Sequence, residues 1–381
     1  MLRKTYFYGW KMTVNTKVHV FTDVPVVVFL KQSPVNSSHM RQVNFTFGTT
    51  VPDDSDVLIC FNRASYTIKT HVPKDRTIFI AAEPDVIHPY SCRYLNQYGL
   101  VLTTTKKTLS TEKRHRAICW YWFAGYDFSG RGAHRGYDWF KALETPQTKK
   151  DKIAIVTSKK VYTEYHRKRM LLVDTLIEKI PDHIAVFGRG FKTIDDKADA
   201  LLPYKYNLAV ENGEGPHVWT EKLTDPWLCW SFPFYAGCNN VADYFPQGGF
   251  EMINLDDPVA EADRMVKEME NGRWEAAKPA IANAREKVLE EENIMILMAN
   301  LAAEVANGST AQRLSRPNYI WSERSLWPEA GCRGSIPEWT LRNAVVLIAP
   351  EAELKARRLR DWYDGKKSHR RARKTAKMEK R

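Results

Sequence analysis

Short apolar runs with almost no polar alternation recur along this chain, and they limit what it can become. Strands of this kind need cover on both faces, which a parallel sheet flanked by helices supplies. In the first third, strands are predicted at 17–21, 26–30, 43–47, 57–61, 77–82, 100–104 and 118–123, with a helix over 90–98. A polar basic stretch, ETPQTKKDK at 144–152, reads as a linker. Beyond it the pattern restarts with a strand at 153–157 and an amphipathic helix at 163–179 that places Met170, Val173, Leu176 and Ile177 on one face. Strands follow at 184–187, 206–210, 232–235 and 252–254, then helices at 258–272 and 276–306. A chain of 381 residues exceeds one ordinary core. The division read from the pattern is an α/β domain over 1–148, a second over 149–310, and an extension over 311–381. Such a pair leaves a cleft between its halves.

The stretch YKYNLAVENGEGPHVWTEK, residues 204–222, concentrates the chemistry. An apolar strand breaks onto Glu211 and Asn212, crosses glycines and restarts at Thr220, Glu221 and Lys222. In open α/β sheets, phosphorylated ligands bind at such strand ends, where the next helix start presents its N–H groups. An ammonium at Lys222 would answer the charge growing on a diphosphate leaving group. The plainer reading is a surface lysine at a helix start, where cations are mildly disfavoured. Glu221 could accept hydrogen bonds from sugar hydroxyls or simply stabilise the first turn. Thr220 is the natural N-cap, and Asn212 before Gly213 is either a ligand contact or a turn residue. Glu83 stands where the strand at 77–82 ends and Pro84 stops the ladder, as a catalytic base or the start of a loop.

These residues carry a resemblance. Tyr204-Lys205-Tyr206, Leu208 and Glu211-Asn212, followed by Thr220-Glu221-Lys222, match Y-K-[FY]-x-L-x-x-E-N…T-E-K, and Asp225, Pro233, Tyr235 and Gly237 continue it as D…P-x-Y-x-G. The chain thereby resembles the family-ten glycosyltransferases, the α-1,3/1,4-fucosyltransferases, in a bacterial form without an N-terminal anchor. The resemblance implies a GT-B-like fold, two Rossmann-like domains facing across a cleft, acceptor side first and nucleotide-sugar side second. It implies inverting transfer of L-fucose from GDP-fucose to a hydroxyl of a GlcNAc- or Glc-containing glycan, with no cofactor and no obligatory metal. It assigns Glu83 as the base and Glu211, Asn212, Thr220, Glu221 and Lys222 to the donor. Arg169, seven residues before Leu176, would hold phosphate bidentately, with Arg167 as runner-up; a solvated basic helix face competes for both. Two departures stand out. The chain reads HVWTEK where the family often has DYVTEK, so Trp219 is expected to stand in for the tyrosine surface. Pro226 is expected to limit the following helix to little more than a turn.

The remaining features bound the alternatives. Residues 355–381 carry a net +10 of the chain's +12, so the body is close to neutral. That basic C-terminal tail suits either an anionic membrane surface or a solubilising role. A basic tail alone confers only salt-sensitive nucleic-acid affinity, which disfavours a nucleic-acid-binding protein; the same fold with another nucleotide sugar stays open. The six scattered cysteines lack any CxxC pair and point to buried thiols in a reducing compartment. The N-terminal apolar run is too short and interrupted for a signal peptide. These readings give a cytoplasmic protein, soluble or peripheral on the inner face of the cell membrane. His88, His115 and His217 have no metal-ligand spacing, and Asp53-Asp54 and Asp256-Asp257 make no convincing metal clamp.

Overall fold

Seven strands of the first half make one sheet, in the spatial order His39–Met40, Val43–Gly48, Thr16–Phe21, Val57–Phe61, Thr77–Ile80, Leu100–Thr103, Glu112–His115. Every neighbouring pair runs parallel except the short antiparallel edge at His39–Met40. Val57–Phe61 and Thr77–Ile80 are buried at every position, as their unbroken apolar character requires. The structure is a computed structural model; it describes residues 16–64, 67–85, 87–116, 121–127, 132–133, 135–159, 161, 163–326 and scattered positions between 340 and 352. The basic tail at 355–381 and the N-terminal residues 1–15 lie outside the described residues.

A second, five-stranded sheet is parallel throughout, in the order Ile184–Phe187, Lys150–Val156, Tyr204–Gly215, Phe232–Cys238, Glu251–Met252. Numbered along the chain this is 2-1-3-4-5, the doubly wound order whose direction reverses between the first and third strands. The reversal opens a crevice at the carboxyl ends of Lys150–Val156 and Tyr204–Gly215. Two Rossmann-like lobes therefore face one another in a GT-B-like arrangement. At the carboxyl end of the first sheet, the His115 ring meets His217 of the second lobe edge-on, 4.8 Å between centroids.

Several expectations are corrected. Residues 26–30 are not a strand: Val27–Leu30 is a helical turn, with Val28 and Phe29 buried. Pro25 starts that turn, and a short apolar run carries no phase to tell a buried turn from a strand. The strand Glu112–His115 is charged, on the edge of the sheet, and gives no apolar signal. Of the strand predicted at 118–123, residues 118–120 lie outside the described residues and 121–123 have no strand geometry. The helix predicted over 276–306 is two helices, Arg273–Glu290 and Ile294–Gly308, because Asn293 caps the second through the backbone N–H groups of Met295 and Ile296. The Pro226 helix runs over Glu221–Leu228, longer than one turn. Proline there forfeits a single helical bond, and the N–H groups of Cys229 and Ser231 still close on the Pro226 carbonyl at 3.1 and 2.8 Å.

Helix Ile294–Gly308 packs on Thr16–Phe21, Val43–Gly48 and Val57–Phe61 of the first sheet, although it follows the second lobe in sequence. Asn293 Nδ2 donates to the Gln32 carbonyl at 2.8 Å, and Arg114 reaches Glu304 at 2.7 Å. Among the described residues the chain thus crosses between lobes twice, at 143–149 and at 290–293. No described helix is long and apolar enough to span a membrane.

Candidate active site

The strand Tyr204–Gly215 continues past the predicted end at Val210, and its register against Phe232–Cys238 shifts between Val210 and Gly215. That irregularity brings Glu211 beneath the start of the next helix. Glu211 is 1% exposed and both of its oxygens are used. Oε1 accepts from the Thr220 N–H and Oε2 from the Thr220 hydroxyl, each at 2.7 Å. Glu211 therefore ties the strand end to the helix start across the glycine loop. Thr220 in turn caps the helix, accepting from the Lys222 N–H at 3.3 Å.

Gly237 makes room for this carboxylate. A Cβ there would lie 2.4 Å from Glu211 Cγ and 2.7 Å from its Cβ, and the backbone sits at φ +152°. Gly237→Ala is expected to cost about 2 kcal/mol by overpacking and strain, read as a lowered midpoint in chemical denaturation. A variant with an unchanged midpoint would show that Glu211 can move aside freely.

Lys222 lies between two carboxylates. Its Nζ is 3.3 Å from Glu221 Oε1 and 3.5 Å from Glu211 Oε2, with the Thr220 hydroxyl at 3.2 Å. Burial alone would lower the ammonium, but Glu221 and Glu211 outweigh it and hold Lys222 above its ordinary value. Burial pushes the Glu211 carboxyl up, against the pull of Lys222. Glu221 is also desolvated, yet Lys222 and Lys197 together bring it below the ordinary range. These two buried carboxylates explain why a lysine is stable at a helix N-terminus, where the dipole alone would oppose it. Asp225, fully buried on the same helix, pairs with Lys197 at 2.9 Å.

Helix Glu164–Lys179 follows the first strand of this sheet and brings Arg169 to the same crevice. Arg169 is 8% exposed, and its Nη1 is 3.4 Å from Asn212 Oδ1. His166 Nε2 approaches the same oxygen at 3.3 Å. His166 and Arg169, three residues apart, share one helix face. Arg167 does not join them: it is on the exposed face, bonded to Glu164 through Nε at 2.9 Å.

Glu83 comes from the other lobe, just after Thr77–Ile80. Burial raises its carboxyl above the ordinary range; Lys222 opposes that rise and Glu221 adds to it. Both of those groups belong to the second lobe, so the acid of the first is within electrostatic reach of the Glu221-Lys222 pair. Burial raises the hydroxyl of half-buried Tyr121, and the charges of Glu221 and Glu83 add to that rise. The structure therefore gathers Glu83, Arg169, Glu211, Asn212, Thr220, Glu221 and Lys222 around one crevice, and leaves Arg167 outside it.

Two crevice residues escaped the sequence reading. His166 was detectable as the residue one turn before Arg169. Tyr121 sits in a segment without periodicity, and only the tertiary fold reveals it. Trp219, expected to offer aromatic surface to a donor, is instead 2% exposed and packs on Tyr244 and Phe245, at 5.6 and 5.0 Å between centroids.

No protein-family model matches the chain. Among solved structures it is similar to an α1,3-fucosyltransferase with GDP-fucose, at 13% identity and a TM-score of 0.44, covering 83% of this chain and 96% of that one. The form of an α1,3-fucosyltransferase with GDP gives 15% identity and 0.45, covering 82% and 96%. A glycosyltransferase from Rickettsia africae ESF-5 gives 9% and 0.41, covering 77% and 100%.

Proposed function

We propose that the chain is an inverting glycosyltransferase that moves L-fucose from GDP-fucose to a hydroxyl of a GlcNAc- or Glc-containing glycan. The reading is supported by the electrostatic coupling of Glu83 on one lobe to Lys222 and Glu221 on the other, near the strand ends where the second sheet reverses its order. A single attack from the face opposite the leaving group needs such an arrangement. The acceptor hydroxyl forms its bond to the anomeric carbon as its proton passes to the Glu83 carboxylate. The bond from that carbon to the phosphate oxygen breaks, and its electron pair leaves with GDP. Lys222 and Arg169 meet the charge that develops on the diphosphate, so the mechanism needs no metal. Glu211 and Thr220 hold the helix that presents Lys222, while Asn212 and Glu221 face the donor. The choice of GDP-fucose rests on the Glu211-Asn212…Thr220-Glu221-Lys222 motif.

The test is GDP release from GDP-fucose, measured with and without a panel of glycan acceptors. GDP-mannose and UDP-sugars run alongside, by release and by thermal shift. Acceptor-stimulated release specific to GDP-fucose is expected. Stimulation by another nucleotide sugar alone would replace the donor, and no release with any of them would sink the reading.

The two arginines separate cleanly. Arg169→Ala is expected to weaken GDP binding about tenfold or more, since a charge-assisted phosphate contact is worth roughly 1.5–3 kcal/mol. Arg167→Ala should leave it unchanged. Titration calorimetry with GDP decides, and equal losses in both variants would remove Arg169 from the donor site.

A further inference from the structure

We propose that Glu323 is a positioning residue for Glu83, acting through His88 and the turn at Pro84; this rests on the assignment of Glu83 as the base. The segment from Ser309 to Leu326 runs back along the first lobe and is fastened to it repeatedly. Arg76 donates to the Ser309 carbonyl at 3.0 Å, and the Leu314 N–H donates to the His71 carbonyl at 2.9 Å. Asn318–Ile320 then pairs antiparallel with Ile68–Thr70. Gln97 closes the next step from both ends of its amide, accepting from the Trp321 N–H at 2.8 Å and donating to the Trp321 carbonyl at 3.1 Å.

This route delivers Glu323 to the loop that carries Glu83. Its two carboxylate oxygens lie 3.0 and 2.9 Å from His88 Nε2, and the residue is 8% exposed. A carboxylate so buried needs a charged or hydrogen-bonding partner, and His88 is at hand. The loop itself has little regular structure beyond the turn in which the Ile87 and His88 N–H groups both reach the Pro84 carbonyl at 2.9 Å. His88 fixes that turn immediately after Glu83. The His88 ring also stands edge-on to Tyr90, 4.5 Å between centroids. Tyr90 is fully buried, and its hydroxyl donates to Asn62 Oδ1 at 2.8 Å. Glu323, His88 and the Pro84 carbonyl thus form a continuous chain of contacts ending on the residue that follows the proposed base. Glu83 is faced by His88 and Arg63 on its own lobe and by Lys222 and Glu221 on the other, and it also lies near Tyr90 and Tyr121. Glu323→Gln alters one contributor to this setting and leaves the rest.

The experiment compares wild type with Glu323→Gln and His88→Gln in the full chain. Two readouts need no acceptor: amide hydrogen exchange across 83–90, and the titration of the Glu83 side-chain carboxyl followed by ¹³C NMR. Glu323→Gln is expected to speed exchange in 83–90 at least tenfold, with the second lobe unchanged, and to move the Glu83 titration away from its wild-type position. In transfer assays kcat should fall about 10- to 100-fold with little change in the KM for GDP-fucose. His88→Gln, whose amide can still donate to Glu323, should keep exchange near wild type, and it serves as the folded comparison should Glu323→Gln melt. Unchanged exchange and titration in Glu323→Gln, or exchange in His88→Gln as fast as in Glu323→Gln, would overturn the proposal. Wild type that transfers nothing, with the exchange and titration effects present, would instead remove the transferase reading while the positioning role stands.

Discussion

Lys222→Ala is expected to lower kcat for sugar transfer by about 10²- to 10³-fold, the loss typical of removing one preorganised group that meets transition-state charge. The ammonium is in direct contact with the Glu211-Thr220-Glu221 cluster, 3.3 to 3.5 Å from both carboxylates. Its removal has a second effect. Glu211 and Glu221 would be left buried together without their cation, and breaking such a cluster costs about 3–5 kcal/mol. The variant should therefore melt earlier as well as turn over slowly, and steady-state kinetics must be run well below its own midpoint. Lys222→Arg keeps the charge but not the compact geometry, so it should recover most of the stability and only part of kcat. Melting curves and kinetics on the three proteins check this. A Lys222→Ala enzyme with wild-type kcat would take Lys222 out of the chemistry altogether.

Glu83→Gln is expected to cut acceptor-dependent transfer by about 10²- to 10⁴-fold, the range for loss of a general base. Glutamine keeps the shape and removes the proton acceptor, so GDP binding should persist. Slow release of GDP to water should persist too, since that path does not require deprotonating a sugar hydroxyl at this position. The pH profile gives an independent check with a definite sign. Only the carboxylate form can take the proton, so activity falls as pH drops through the Glu83 pKa. Burial places that pKa above the ordinary glutamate range, so the acid limb of kcat/KM should lie above that range in wild type and vanish in the variant. Equal transfer by wild type and Glu83→Gln would assign the base elsewhere.

The second lobe was more legible in the sequence than the first, for a physical reason. The central runs of its strands are covered, so Ile153-Ala154-Ile155 and Phe232-Pro233-Phe234 appear as unbroken apolar runs, and the intervening helix announces itself by period. The site was visible there because a sharp change from apolar to polar at Val210-Glu211 coincides with a shift in the strand's register against its neighbour. In the first lobe the edge strand Glu112–His115 is charged and silent, and Val27–Leu30 carries strand-forming residues in a helical turn. Glu83 was reachable because Pro84 marks the strand end. Its supports were not: Glu323 is far away in sequence and meets His88 only after the chain has traversed the second lobe. The role of Glu211 was likewise hidden, because a glycine at Gly237 gives no hint from sequence that it is clearing space for a carboxylate.

The return of Ile294–Gly308 to the first sheet has a mechanical result. A body joined to another by a single tether can twist in any direction, whereas two tethers leave one easy motion, a swing about the line through both. Opening would then carry Glu83 and Lys222 apart along an arc, like facing pages of a bound book, and closing would bring them back to the same alignment each cycle. The fastening of Asn293 to Gln32 at 2.8 Å fixes one end of that spine. Reproducible alignment of two half-sites is what a displacement along a single line demands.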